Sequence, residues 1–384
     1  MWIWVIIGTL TALYAVLVMW YKWAWRQLPM YNVPNEFVPS ARITVIIPAR
    51  NEAANIGACL QGLVEQKYPR ELLQVLVIND ASEDATADIV QQFSNNYPYI
   101  QCLHLPADAT MQSHKKRAVE RGIAAATGEL IVCTDADCTH SPLWLHTVAN
   151  CYQQQAAEFI AAPVVYETES TILSVFQTLD FITLQGITGA SVSKKFHTMC
   201  NGANIAYSKK AFEAVKGFEG IDALPTGDDM LLMHKIFRRF PNGVVWLKSS
   251  DAIVSTQACE SWPAFFQQRI RWASKAAYYD DKRMFMVLLL VYLLNLVFLA
   301  GLLAVILFNY PLWPLLCWLV VKTTVEMSFL FPVAHFFKRE SWMLVFPLFQ
   351  PLHIVYTVVA GWLGRFGSYR WKGRTIQKPS ALVR

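Results

Sequence analysis

Two stretches of this chain, residues 1–20 and 284–310, contain no charged side chain at all. At about 1.5 Å of rise per residue, each is long enough as a helix to cross the roughly 30 Å hydrocarbon core of a bilayer. With such segments flanking a polar middle, the 384 residues cannot close into one water-soluble core. The 54% hydrophobic content and mean hydropathy of +0.29 agree, and with only 16% charged residues they argue against disorder. The first stretch has no basic leader and no small-residue cleavage site, so it reads as a spanning helix rather than a cleaved signal. Lys22 and Arg26 follow it among Trp and Tyr, which puts that end in the cytoplasm, and Lys282 and Arg283 precede the second stretch on the same side.

Two further segments are apolar with exceptions. Residues 341–364 are interrupted by Pro347 and Pro351, and 311–337 carry Lys322 and Glu326. Each charge costs about 2.5–3.5 kcal/mol at a helix centre. Their i, i+4 spacing lets them pair, as a partly neutralised spanning helix or as a polar spot facing a catalytic domain. One span before the middle and three after it would leave the last residues outside, against the positive-inside tendency. Either one C-terminal segment is re-entrant or interfacial, or the rule is broken.

The net charge of +5 belongs to that end. Arg365, Arg370, Lys372, Arg374, Lys378 and Arg384 occur without an acid, and the rest of the chain nets about −1. This disfavours nucleic acid as a partner and favours anionic lipid. The eight cysteines show neither a C-x-x-C pair nor zinc spacing, so they read as reduced thiols packed as small hydrophobes.

From about residue 40 to 260 the pattern is globular. Ile43-Thr44-Val45-Ile46-Ile47 is a β-branched run stopped by Pro48, predicting a buried strand. Residues 51–66 have apolar side chains at helical spacing, with Asn51 as the cap. Val75-Leu76-Val77-Ile78 before Asn79-Asp80, and Leu130-Ile131-Val132-Cys133 before Thr134-Asp135-Ala136-Asp137, predict two more strands, with a helix over 82–93 between them. Alternating strands and helices imply an α/β fold with a largely parallel sheet and chemistry at the strands' carboxyl ends. No G-x-x-x-x-G-K-[ST] and no G-x-G-x-x-G follows the first strand, which removes the main support for an ATPase or a dehydrogenase.

Carboxylates stand at those strand ends instead. Asp135 and Asp137 form a D-x-D where a strand breaks. That placement suits a hard divalent cation such as Mg²⁺ or Mn²⁺, which takes one or two protein carboxylates plus substrate phosphates. Asp228-Asp229 follows Thr226-Gly227 and opens another element, either as a helix cap or as a catalytic base. Gln268, Arg271 and Trp272 fall at i, i+3, i+4 on an amphipathic stretch. One face would then carry an amide, a guanidinium and an indole, suited to a diphosphate and a sugar or equally to lipid headgroups.

In this order the motifs resemble those of the family 2 glycosyltransferases, membrane-bound inverting enzymes with a GT-A catalytic fold. The resemblance runs from Ile43 to Trp272 and extends to the C-terminal helices and to Trp371-Lys372-Gly373-Arg374. It implies donor contacts from Pro48, Arg50 and Glu52 after the first strand, from Asp80 to the uracil or ribose, and from Lys115 and Lys116 to phosphate or base. Asp137, with Asp135, would hold the metal; Asn201, Gly202, Ala203 and Asn204 would line the sugar and acceptor pocket. Asp229 would be the base, with Asp228 standing where the family usually has Glu. Gln268, Arg271 and Trp272 match Q-x-x-R-W, as donor contacts and, for Trp272, as part of the acceptor mouth.

The implied organisation is an N-terminal transmembrane helix (1–26), a cytoplasmic GT-A domain (40–257), an amphipathic interfacial helix (258–283), C-terminal membrane helices (284–364) and a basic tail (365–384). The implied activity is metal-dependent transfer of a hexose, with inversion, from a UDP- or GDP-sugar to a lipid or lipid-linked hydroxyl at the inner membrane. A processive polysaccharide synthase and a non-catalytic membrane scaffold are the alternatives.

Overall fold

Burial on both faces explains why the Ile43-to-Ile47 run is continuously apolar apart from Thr44. It forms most of β1 (Ile43–Ala49), inside a seven-stranded sheet. The computed structural model describes residues 2–107, 113–167, 171–222, 224, 227–274, 281–366, 369–371 and 374–376. Thr226, residues 275–280 of the amphipathic stretch, Lys372, Gly373, Lys378 and Arg384 lie outside these.

The other strands of the sheet-bearing unit are β2 (Leu73–Asp80), β3 (Ile100–Leu105), β4 (Leu130–Cys133), β5 (Thr139–His140), β6 (Phe159–Ala161), β7 (Val164–Tyr166), β8 (Ile205–Ser208), β9 (Val244–Trp246) and β10 (Val254–Thr256). The large sheet has the order β3-β2-β1-β4-β8-β6-β9, and β5-β10-β7 form a small second sheet. β3, β2, β1 and β4 run parallel, so their carboxyl ends share one edge; β8 pairs antiparallel with β4 and β6. Two local expectations shift. Pro48 does not end β1 but pairs in register with Ile78. Asn51 does not cap the following helix, which starts at Ile56; with φ of 52° it shapes the loop, its side-chain oxygen accepting the Glu83 N–H at 2.9 Å.

Two compact units divide the chain. One comprises Pro29–Glu167 and Thr198–Gln257 and holds both sheets above; the other comprises Met1–Leu28, Thr168–His197 and Ala258–Arg384. The helix Ile172–Ser193, although it lies within the stretch 40–257, belongs to the second unit. That unit also contains the helices Trp2–Gln27, Trp262–Ser274, Lys282–Phe308, Trp313–Phe336 and Phe346–Phe366. Four segments, Val5–Gln27, Lys282–Phe308, Trp313–Phe336 and Phe346–Arg365, are long and apolar enough to cross a membrane. Of the two interruptions expected, the one at Pro347 coincides with a break between the short helix Glu340–Leu344 and a helix starting at Phe346, and the one at Pro351 is absent. Pro347 sits in the first helical turn, where its missing N–H costs nothing, and the helix continues through Pro351 to Phe366.

Lys322 and Glu326 pair across one helical turn at 2.7 Å, as their spacing predicts. The pair is closed by other helices: Lys322 donates to Gln350 Oε1 at 2.7 Å, Gln350 Nε2 donates to Glu326 Oε2 at 2.6 Å, and the Tyr14 hydroxyl donates to Glu326 Oε1. Lys322 and Gln350 are almost fully buried, so these bonds replace solvation that neither residue has. Removing one partner strands a buried charge. Lys322→Ala is therefore expected to destabilise the helical unit by about 3–5 kcal/mol, measured as equilibrium unfolding in mixed detergent micelles.

Candidate active site

Every acidic cluster anticipated at the strand ends of the sheet-bearing unit lies at the common edge of β1, β2 and β4 or in the loops that face it. The N-terminal turn of the helix His114–Ala125 ties them together. Consecutive residues there reach different strands. His114 Nδ1 is 3.4 Å from Asp80 Oδ2 at the end of β2, and Lys115 Nζ donates to Asp135 Oδ1 at 2.6 Å beyond β4. Lys115 also lies 3.6 Å from Asp228 Oδ2. Burial disfavours the charge on Lys115, yet Asp135 and Asp228 outweigh it and hold the ammonium above the usual lysine range.

The Asp229 carboxylate is fixed by backbone. Its Oδ1 accepts from Met230 N at 2.7 Å, capping the helix Met230–Arg239, and its Oδ2 accepts from Gly202 N at 3.2 Å. Gly202 lies at this convergence: a Cβ there would stand in ordinary contact, 3.4 Å, with both Lys115 Nζ and Asp229 Cβ. A small pocket lined by Pro48, Lys115, Thr134, Gly202, Tyr207 and Asp228 opens among these groups.

Asp137 differs from its neighbour. Asp135 has Lys115, whereas among the described residues no cation pairs with Asp137, whose recorded partner is the Cys138 thiol at 3.6 Å. Burial, then repulsion from Asp135 and Glu52, pushes its carboxyl up to about 6. Unneutralised carboxylates gathered in this way suit a divalent cation. Among the described residues no three His, Cys, Asp or Glu side chains are arranged to hold a metal by themselves, so a cation on Asp137 and Asp135 would complete its shell with phosphate oxygens and water.

Several of the anticipated ligand contacts make bonds within the fold. Arg50 donates to the carbonyls of Asp80 at 2.8 Å and Ala81 at 3.2 Å, bracing the β2 loop, and reaches the exposed Glu83 carboxylate at 3.3 Å. Lys116 is buried and donates to the carbonyls of Ile221 and of Leu224, the latter at 2.7 Å. Asn204 accepts from Trp144 Nε1 at 3.0 Å and donates to the carbonyls of Pro163 and Ala252, both at 2.8 Å, which leaves its amide no free donor. Asn201 Oδ1 turns back to Ala203 N at 3.0 Å, and Ala203 is buried. Glu52 remains among the acids around Asp137.

Gln268, Arg271 and Trp272 lie in the other unit, on the helix Trp262–Ser274, all half-buried. That helix is not simply interfacial: Phe265 and Ile270 pack with Phe176, Leu173, Tyr356 and Ala360. Two polar residues escaped the sequence reading, His114 and Arg269. Nothing in the sequence singles out a histidine beside two lysines, and Arg269 is concealed inside a motif whose pattern skips it.

Comparison with known proteins bears on this arrangement. Residues 44–216 match the family described as Glycosyl transferase family 2. A probable glycosyltransferase of Bacillus subtilis, YdaM, is 26% identical over 257 residues, 65% of this chain and 58% of that protein. A poly-beta-1,6-N-acetyl-D-glucosamine synthase of Staphylococcus epidermidis is 22% identical over 60% of this chain and 53% of its own length. The chain thus spans little more than half of these relatives. Among solved structures, the mannosyltransferase PcManGT of Pyrobaculum calidifontis, in complex with GDP-Man and Mn²⁺, shares the fold with a TM-score of 0.62 at 20% identity, over 91% of this chain and 98% of that one.

A cation on Asp137 would need the ionised carboxylate, whose protonation burial and the neighbouring acids push up to about pH 6. Mn²⁺ affinity, followed by electron paramagnetic resonance, is therefore expected to fall about tenfold per pH unit below that point and to level off above it. Asp137→Asn should weaken binding and flatten the profile.

Proposed function

We propose, from the match of residues 44–216 to the family described as Glycosyl transferase family 2 and from the shared GT-A fold, that the chain moves a hexose from a UDP- or GDP-sugar to a hydroxyl of a lipid or lipid-linked acceptor, with inversion and with Mg²⁺ or Mn²⁺. The observation that carries this reading is the Lys115 bridge between Asp135, in the D-x-D, and Asp228, beside the candidate base. A positive group held between these two carboxylates supports a diphosphate and an attacking hydroxyl meeting beside it.

In this mechanism the donor lies across the carboxyl ends of β1, β2 and β4. Asp80 binds the nucleoside, with His114 fixing its carboxylate, and Lys115 turns from Asp135 toward the phosphates. Asp137 and Asp135 would hold the divalent cation, which when bound neutralises charge on the leaving nucleoside diphosphate. Asp229 accepts the acceptor's proton; its two backbone N–H bonds orient the carboxylate and leave lone pairs for that proton. As the acceptor oxygen bonds to the anomeric carbon, the bond to the diphosphate oxygen breaks on the opposite face. A single displacement of this kind inverts the centre. Gln268, Arg271 and Trp272 keep the roles that the Q-x-x-R-W resemblance gives them, an amide and a guanidinium suited to a diphosphate and an indole suited to a sugar.

Four long apolar helices in the same chain support an acceptor drawn from the bilayer. Lys22, Arg26, Lys282 and Arg283 at the helix ends support a catalytic domain on the cytoplasmic side. The similarity to a poly-N-acetylglucosamine synthase keeps a polymerising activity as the second reading. Membranes carrying the chain, given radiolabelled nucleotide-sugars, should yield a discrete lipid-extractable product; a long polymer would favour the second reading, and no metal-dependent transfer or donor hydrolysis would sink both. Asp229→Asn is expected to lower kcat by about 10²–10⁴-fold while leaving donor affinity nearly unchanged. Near-normal turnover in that variant would remove Asp229 from the base role.

A further inference from the structure

Arg269 is the most buried polar residue of the helix Trp262–Ser274, at 4% exposure, and is held by side chains of its own helix and of the helix Ile172–Ser193. Its Nε donates to Asp180 Oδ2 at 2.9 Å, and one terminal nitrogen lies 2.7 Å from the same oxygen. The other carboxylate oxygen of Asp180 accepts the Tyr356 hydroxyl. The second terminal nitrogen of Arg269 donates to Gln268 Oε1 at 2.6 Å, and the guanidinium lies over the rings of Trp272, at 4.2 Å, and Phe265, at 4.5 Å. Trp272 is flanked further by Phe181, with ring centroids 5.9 Å apart. The last helix presses close behind: a Cβ at Gly364 would stand 2.6 Å from that of Ala273.

A guanidinium has only donors, so the Gln268 atom it meets is the amide oxygen, and the NH₂ group is left to point elsewhere. The planar fork addresses Asp180, Gln268 and two ring faces at once, which the point charge of a lysine cannot do. Thus two of the three motif side chains, Gln268 and Trp272, are touched by a residue that the motif pattern skips.

We propose that Arg269 is a positioning residue for transfer: clamped by Asp180 and Tyr356, it sets the Gln268 amide and the Trp272 ring in the orientation in which they meet the donor. The inference rests on the glycosyltransferase reading above. It assigns Asp180 and Tyr356, distant in sequence from every motif, to the same task.

The test is a double-mutant cycle on the full chain in detergent, assayed with UDP-glucose, UDP-N-acetylglucosamine and GDP-mannose. With whichever donor is consumed, Arg269→Lys should lower kcat/KM by about 10–100-fold. In a Gln268→Ala/Trp272→Ala background, the same substitution should cost less than about twofold, because the groups it orients are gone. An equal penalty in both backgrounds, or no penalty in the first, would overturn the proposal and leave Arg269 a packing residue. Should Arg269→Lys not fold, Tyr356→Phe removes only the hydroxyl that holds Asp180, and the same comparison decides. Absence of transfer by the unmodified chain with every donor would bring down the glycosyltransferase reading itself. If transfer is normal in the Gln268→Ala/Trp272→Ala chain, the present inference and the donor contacts given to Gln268 and Trp272 fall, and the glycosyltransferase reading stands.

Discussion

One ammonium group, Lys115, stands among more negative charge than it can neutralise. Asp135 and Asp228 flank it, Asp229 stands beside them across Gly202, and Asp137 and Glu52 gather next to Asp135. Such a collection of carboxylates at low exposure is unfavourable unless a cation or a charged ligand completes it. The loops that carry these acids are consequently braced from behind by basic side chains bonded to backbone carbonyls: Arg50 holds the turn after β2, and Lys116 holds the segment around Ile221 and Leu224. Among these cations, Lys115 faces the acids, whereas Arg50 and Lys116 keep the acids' loops in place.

That division explains which parts of the site were legible in the sequence. Asp135, Asp137 and Asp228 stood out by their place after a strand or before a helix, although turns and helix caps also use aspartate freely. Lys115 and Lys116 looked equivalent, being adjacent, but successive residues in a helix point about 100° apart, and only one of them meets Asp135. Asn204 was read as a pocket residue from its motif, whereas its amide is spent on Trp144, Pro163 and Ala252. Residue type could be read from the sequence; side-chain direction required the tertiary frame.

The fold divides similarly. β1, β2 and β4 are buried on both faces and announce themselves as β-branched runs, so their existence and order were accessible. β5 to β10 are two to four residues long and have no periodicity to detect. The helix after β1 begins later than its apolar spacing suggests because Asn51 and Glu52 are drawn into hydrogen bonds with the loop that follows β2. Apolar length alone identified the helical unit, but its internal polar contacts depend on partners hundreds of residues apart.

Tyr14 and Glu326, which bond in the finished protein, are separated by 312 positions. At about 5–20 residues per second, the ribosome leaves the first helix waiting on the order of tens of seconds for that acceptor. Lys322 and Glu326, by contrast, emerge together and can neutralise one another as soon as their own helix winds. The order of synthesis therefore lets the charged helix compensate itself first, while its bonds to Tyr14 and Gln350 wait until all three segments have been made.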